Sequence, residues 1–423
     1  MPSRRTLLAA CGSAVLAGCS TRYADPAGDA TWPQRGRDDA RTATRTDGPD
    51  PPLTTAWRYD ANADLGSPDC SPVMANGTVF LAYTEHRDDG EQAAVLDAVD
   101  AETGTHQWTT TVATTTAQMQ ETHSHTDSLA IVDDAVLLQT ANGLVALESG
   151  DTDDAGTERW RFDNVGDGQL GSIAAQPGVG NGVVYTGFHR HGREESQPEF
   201  YAIDLEDGEE RWRYEIDDWD DHLVYPPAVD DGIVYAAIGG GGVVAVDAAD
   251  GTELWSERFP VYSAPTAGEG RVFVGIDADE SGVAALSTET GDQQWTRTDA
   301  DDAVVPTGAA VADGIVYYAA MDRLVARDAA TGDPVWTIDE TGSSEGDHIY
   351  RSVPTVAGDS LYVAGSSLFA VDREAGELRE RIGDVWTSAS PAVGDNVVIA
   401  SLEEGTLEAL VECRTELFGR CLR

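Results

Sequence analysis

Lysine is absent from this 423-residue chain: all 27 basic residues are arginine, against 75 Asp and Glu, for a formal charge of −48. Such a charge repels itself and works against compactness, unless near-molar salt shortens the screening length to about 3 Å. Carboxylates hold water and cations, and arginine is more weakly hydrated than lysine. The balance fits a protein kept soluble in concentrated brine, so a halophilic, archaeal source is expected. The shortage of basic residues argues against nucleic acid as a partner, because phosphate binding needs a basic patch. Disorder, the other use of an acidic chain, is excluded by 41% hydrophobic residues with 10 Trp and 13 Tyr.

Long apolar runs are missing too. The run from Leu7 to Leu16 falls short of the roughly 20 residues a membrane-spanning helix needs, and no helical stripe of 3.6-residue period follows it. The start of the chain reads instead as an address. Ser3-Arg4-Arg5-Thr6-Leu7-Leu8 resembles a twin-arginine export signal, and Leu16-Ala17-Gly18-Cys19 resembles the lipobox at which a lipoprotein is cleaved and its cysteine lipidated. Residues 1–19 are therefore expected to be a signal, with lipid on Cys19 holding the protein at the extracellular face of the cytoplasmic membrane. Cysteine is scarce. Of the five, Cys11 leaves with the signal and Cys19 carries lipid, so Cys70, Cys413 and Cys421 allow one disulfide at most. Cys413–Cys421 would pin a C-terminal tail, 413–423; Cys70 pairing with either remains open.

What the chain does have is a repeated phrase. Residues 98–108 read AVDAETGTHQW, 202–212 AIDLEDGEERW, 245–255 AVDAADGTELW, 285–295 ALSTETGDQQW and 326–336 ARDAATGDPVW. Residues 370–380, AVDREAGELRE, keep the phrase but place Glu380 where Trp is due. A copy with an acidic insertion ends at Trp160. Ahead of each lies apolar alternation through a Gly turn, as in Asn76-Gly77-Thr78-Val79-Phe80 and Asp231-Gly232-Ile233-Val234-Tyr235. Period-two alternation makes half-buried strands, and Asn-Gly or Asp-Gly between two of them makes a tight hairpin. Four antiparallel strands per 40–50 residues is the size of a propeller blade. Fourth strands at Trp108, Trp160, Trp212, Trp255, Trp295, Trp336 and Glu380 count seven. An eighth unit from Ser388 to Glu412 has three strands, and Thr54 to Tyr59, carrying Trp57, supplies its fourth. The fold is read as all-β, an eight-bladed β-propeller over 53–412 closed by the N-terminal strand; seven blades is the alternative, and 20–52 is read as a flexible tether.

Ala-x-Asp-x-x-Thr-Gly-x-x-x-Trp is similar to the tryptophan-docking repeat of PQQ-like propellers, a family that includes quinoprotein dehydrogenases and BamB-type lipoproteins. The resemblance runs over about 54–412 and takes in the lead-in Trp32-Pro33-Gln34. It implies that Trp57, Trp108, Trp160, Trp212, Trp255, Trp295 and Trp336 are blade-packing residues. Quinoprotein activity would also require an adjacent-cysteine disulfide, a calcium site and a carboxylate base, and the chain has no adjacent cysteines. No catalytic residue, quinone or metal is therefore expected. Calcium is suggested only by the half-loop Asp277-x-Asp279-x-Ser281-Gly282 and by Asp151 to Asp154, and is otherwise unsupported. His123/His125 and His189/His191 are i, i+2 pairs that could chelate, but spacing fixes no third ligand. Asn76 lies in a glycosylation sequon. The loops that precede the inner strands carry Asp69, His125, Tyr225, Tyr262, Arg351 and Trp386, the candidates for binding at the channel mouth.

Three functions are carried forward. The first is a non-enzymatic, monomeric surface scaffold for other envelope or secreted proteins. The others are a small-molecule or metal receptor at the mouth, and a quinone-dependent dehydrogenase. Replacing Cys19 by Ser is expected to move the protein from the membrane fraction into the medium, read by fractionation and immunoblotting.

Overall fold

The computed structural model describes residues 31–61, 71–86, 92–115, 129–140, 143–150, 154–162, 176–188, 199–216, 224–277, 281–298, 308–320, 323–339, 352–383, 387, 389–402, 406–413, 416–417 and 420–421. These residues form no helix, and eight four-stranded antiparallel blades follow one another along the chain, the seventh carrying Thr44–Arg45 as a fifth strand parallel to Thr355–Ala357. Their innermost strands are Val73–Ala75, Leu129–Val132, Gly178–Gly180, Ala228–Asp230, Thr266–Gly268, Ala309–Ala312, Thr355–Ala357 and Ala392–Val393, which define blades 1 to 8. Blade 8 takes its outermost strand, Leu53–Asp60, from the front of the chain; it lies antiparallel to Thr406–Glu412. Ser390 N–H donates to Ser71 Oγ at 2.9 Å, so blade 8 is also tied to blade 1. The molecule is an eight-bladed propeller, as the repeat count predicts.

The recurrent phrase can be assigned position by position in blade 4. Trp255 sits on the outermost strand, Glu253–Arg258, where it is the one buried residue. Across the sheet it faces Ala245, which faces Tyr235 on the second strand. A small Ala between them lets the two rings meet, with centroids 5.9 Å apart. The indole Nε1–H then leaves its own blade and donates to Thr288 O of blade 5 at 2.9 Å. The same bond joins Trp57 to Ala101 O, Trp160 to Leu205 O, Trp212 to Ala248 O, Trp295 to Ala329 O and Trp336 to Arg373 O, at 2.8–3.0 Å. The motif Asp folds the receiving turn: Asp328 Oδ1 accepts from Thr331 N at 2.8 Å, an Asx turn. The motif Gly is required on two counts. Gly291 has φ +76°, and a Cβ there would lie 2.6 Å from the Trp255 ring.

Two blades depart from this pattern. In blade 2 the step from Glu148 to Gly156 is eight positions where blade 4 has four (Asp247 to Gly251), and Trp108 Nε1, which should dock there, has no partner. In blade 7 the residue due to be Trp is Glu380. Blade 8 cannot offer it a turn, because its third and fourth strands come from opposite ends of the chain. Glu380 instead accepts a hydrogen bond from Leu53 N at 2.8 Å, fixing the start of the closing strand.

Residues 31–52 correct the reading of 20–52 as a flexible tether; 20–30 lie outside the described residues. From Trp32 to Arg45 the chain is a strap that runs along the inner strands in blade order. Trp32 exchanges two bonds with Met74 of blade 1, and Pro33 O accepts from Ile131 N of blade 2. Asp39 O, Ala40 O, Thr42 O and Ala43 O accept from Val229, Ala267, Val311 and Val356 of blades 4 to 7, at 2.7–2.9 Å. Arg45 pairs with Asp395 of blade 8. The physical reason is that each innermost strand is a sheet edge whose N–H groups face the channel. A tether would leave those donors unmet in a confined space. Tight curling is managed by Arg37, Arg41 and Ala43 at φ 65°, 61° and 51°, an uncommon conformation for residues with a side chain.

Past blade 8, Cys413 N donates to Pro52 O at 2.8 Å, and Cys413 is disulfide-bonded. Cys70 and the signal residues Arg4, Arg5 and Cys19 lie outside the described residues. The docking geometry carries a stability prediction. Truncating Trp255 to Ala should cost about 3–5 kcal/mol in chemical denaturation, whereas Trp108→Ala, which breaks no indole hydrogen bond, should cost measurably less.

Candidate functional site at the central channel

The strap takes up the end of the channel at which the inner strands finish and the Asn76-Gly77-type hairpins turn. Its own side chains face two ways. Arg35 and Arg41 are buried. Arg41 Nη2 donates to Gln176 Oε1 at 2.9 Å, and Gln176 Nε2 donates to Leu129 O, so the strap is cross-linked to the entry of blades 2 and 3. Burial pushes the Arg35 pKa down to about 10; burial and then the neighbouring Arg35 charge push Arg41 down to about 9.

On the other side the strap borders a cavity of about 510 Å³ between blades 3 and 4, walled in part by Arg37, Asp38, Asp39, Gly180, Asp230 and Asp231. Arg37 Nη1 donates to Thr44 O at 2.7 Å. Asp38 folds the strap by accepting from Thr42 N at 2.8 Å and from Thr42 Oγ1. Asp39 is raised from 3.8 to about 6, first by burial and then by Asp38. Asp230 is raised by burial, Asp231 and Asp38. Among the described residues no group of three or more His, Cys, Asp and Glu is placed to hold a metal ion.

At the opposite end lie the loops that enter the inner strands. Tyr225 is half-buried against the core shared by blades 4 and 5, and Tyr262 is 38% exposed. Asp69, His125, Arg351 and Trp386 lie outside the described residues, as do His123, His189, His191 and Asp279. Asp277 is exposed and accepts from Ser281 Oγ at 3.1 Å. Asn76 occupies an exposed hairpin turn at φ 52° and donates to Asp133 O of blade 2 at 3.4 Å. Gly342-Ser343-Ser344-Glu345-Gly346 has the spacing of a nucleophile elbow, which needs a strand-to-helix turn; this stretch also lies outside the described residues.

The family model described as outer membrane protein assembly factor BamB matches residues 54–154, 149–258 and 218–410, which cover most of the chain. The chain belongs to this family. The BamB of Xanthomonas campestris pv. campestris is 29% identical over 291 residues, 54% of this chain and 66% of that protein. A serine/threonine-protein kinase AfsK of Streptomyces griseus is 30% identical over 194 residues, 43% of this chain and 23% of the kinase. This chain therefore spans less than two thirds of either relative. Among solved structures, the quinohemoprotein alcohol dehydrogenase of Comamonas testosteroni superposes with a TM-score of 0.68 at 16% identity, over 95% of this chain and 83% of that one. At that identity the likeness establishes the fold alone.

Within this BamB-family propeller, the residues missed by sequence reasoning are those of the strap and Gln176, which holds it at the entry to blade 3. Arg35, Asp39, Arg41 and Gln176 carry no motif, and the lead-in Trp32-Pro33-Gln34 is their only flag. Asp39 makes stability depend on pH. Its folded pKa lies above the unfolded value, so the protonated form favours the fold; that contribution is full below about 3.8 and is lost as pH rises through about 6. Asp39→Asn should therefore flatten the decline in Tm between pH 4 and about 6 and raise Tm at neutral pH, measured by calorimetry at fixed salt.

Proposed function

We propose that this BamB-family propeller is a non-enzymatic scaffold, lipid-anchored through Cys19 at the outer face of the cytoplasmic membrane of a halophilic archaeon, exported by the twin-arginine route. The strap is the observation that carries the reading. It occupies one end of the channel, and Cys19 precedes Trp32 by thirteen residues, a reach of at most about 45 Å. An anchor attached there draws the strap end of the ring toward the membrane. The loops at the far end, including the one that carries Tyr262, then face outward, where every blade can contribute to one concave surface.

Enzyme chemistry is disfavoured by the channel's contents. A bound quinone would need a flat cleft and an adjacent-cysteine platform; here the strap and the buried Arg35 and Arg41 side chains occupy the channel, and no adjacent cysteines exist in the sequence. The partners we envisage are envelope or secreted proteins, met by a monomer. The assembly role in the family's name does not carry over, because an archaeal envelope offers no outer membrane. Pull-downs from native membranes at high salt, comparing wild type with Tyr262→Ala and Trp386→Ala, test the proposal. Folded variants should lose captured proteins; retention of every partner by both would remove the mouth as the binding face. A chromophore or tightly held metal in purified protein would favour an enzyme or receptor instead.

A further inference from the structure

Six of the eight inner hairpins turn through a residue with a side chain at φ 47–54°: Asn76, Asp133, Asn181, Asp231, Glu269 and Asp313. This left-handed conformation favours Asn and Asp, so the fold accounts for Asn76. It does not account for Thr78. Two residues after the turn residue, blades 3, 4 and 6 place Val183, Ile233 and Ile315, apolar side chains suited to a strand. Blade 1 places Thr78 there, and Asn76-Gly77-Thr78 is the only Asn-x-Ser/Thr sequence in the chain.

The tip of this hairpin is open to a large substituent. Asn76 is exposed, and a Cβ added at Gly77 would meet nothing within 4 Å. Of the two protons on Asn76 Nδ2, one is directed at Asp133 O, 3.4 Å away; replacing the other leaves that contact in place. Thr78 Oγ1 donates to Gln107 Oε1 at 3.2 Å. Gln107 is exposed, so its side chain can swing away and free the hydroxyl. Location matters as much as shape. Met74 exchanges two backbone bonds with Trp32, and Asn76 follows two residues later, about 7 Å along an extended strand. Asn76 therefore stands at the strap end of the ring, beside the point where the chain leaves for Cys19.

We propose that Asn76 carries an N-linked glycan. The donor is a lipid-linked sugar phosphate and the catalyst an envelope glycosyltransferase. Nδ2 attacks the anomeric carbon, and the C–N bond forms as the C–O bond to phosphate breaks. The lipid phosphate leaves, and one Nδ2 proton passes to a base of the transferring enzyme. The assignment rests on the outer-face location proposed for the ring, where its strap end and a membrane-held donor face each other.

The test uses full-length protein purified from native membranes and cleaved after arginine. Mass spectrometry weighs peptide 59–87, which holds Asn76, and fragment spectra locate any addition. The expected peptide carries extra mass in whole sugar residues, lost in both Asn76→Asp and Thr78→Val. Both changes keep the hairpin, since Asp231 and Val183 occupy the same places in blades 4 and 3. A lipidated Cys19 peptide beside an unmodified Asn76 peptide would overturn the glycan and leave the scaffold reading standing. An intact signal segment at the N-terminus would overturn both. Sugar that persists in either variant would also overturn the assignment to Asn76.

Discussion

The ring is held together by an indole on one blade that donates its N–H to a turn on the next. This contact links local to global structure because all its parts lie in one eleven-residue phrase. Asp and Gly build the receiving turn, Trp docks on the neighbour, and Ala leaves the gap that lets Trp rest on its own blade's aromatic. The bond reaches only the succeeding blade, so chain order becomes spatial order without any long-range recognition. Each indole removes about 150–250 Å² from water, so a ring of such contacts forms one body from sheets that could not bury their faces separately.

Docking alone would leave the middle of the ring unsatisfied. Eight inner strands converge with their edge N–H groups toward the axis, and the strap supplies carbonyls in sequence to six of them, those of blades 1, 2 and 4 to 7. The same stretch then continues directly into Leu53–Asp60, which completes blade 8. Strap and closure are therefore a single device: the segment that neutralises the inner edges is delivered to the seam, where Glu380 and Ser71 hold the ends together. One consequence is that the channel is not free for a ligand at the strap end, whatever its opposite mouth does.

Much of this was legible in the sequence, and what escaped did so for definite reasons. Blade number, the closing strand and the docking residues were readable because repetition turns a weak local signal into a strong one. The loss of Trp at Glu380 was visible but could not be interpreted until the absent turn of blade 8 was recognised. The strap was hidden because its bonds are made by backbone carbonyls, which impose no residue type. From Pro33 to Asp50 it is rich in Arg, Asp and Thr, the composition of a linker. Only Trp32, 1% exposed, marks it as part of the body. The mouth residues are marked only by their position in the repeat, and position cannot say which loops converge.

The charge balance bears on which of these contacts can be decisive. Arginines on the outer surface pair with the abundant carboxylates, as Arg159 does with Glu148 and Asp134, or Arg379 with Asp372. Exposed pairs contribute about 0–1 kcal/mol, and at high salt screening would take most of that away. Cohesion that survives high salt comes from groups that salt does not screen: indoles against turns, aromatics against alanine-spaced strands, and strap carbonyls against inner N–H groups. An acidic exterior and a neutral, hydrogen-bonded interior are thus two answers to one demand, solubility outside and salt-independent adhesion within. Arg35 and Arg41 are the exception, cations placed where screening cannot reach, and they sit on the segment whose carbonyls bond six of the eight blades.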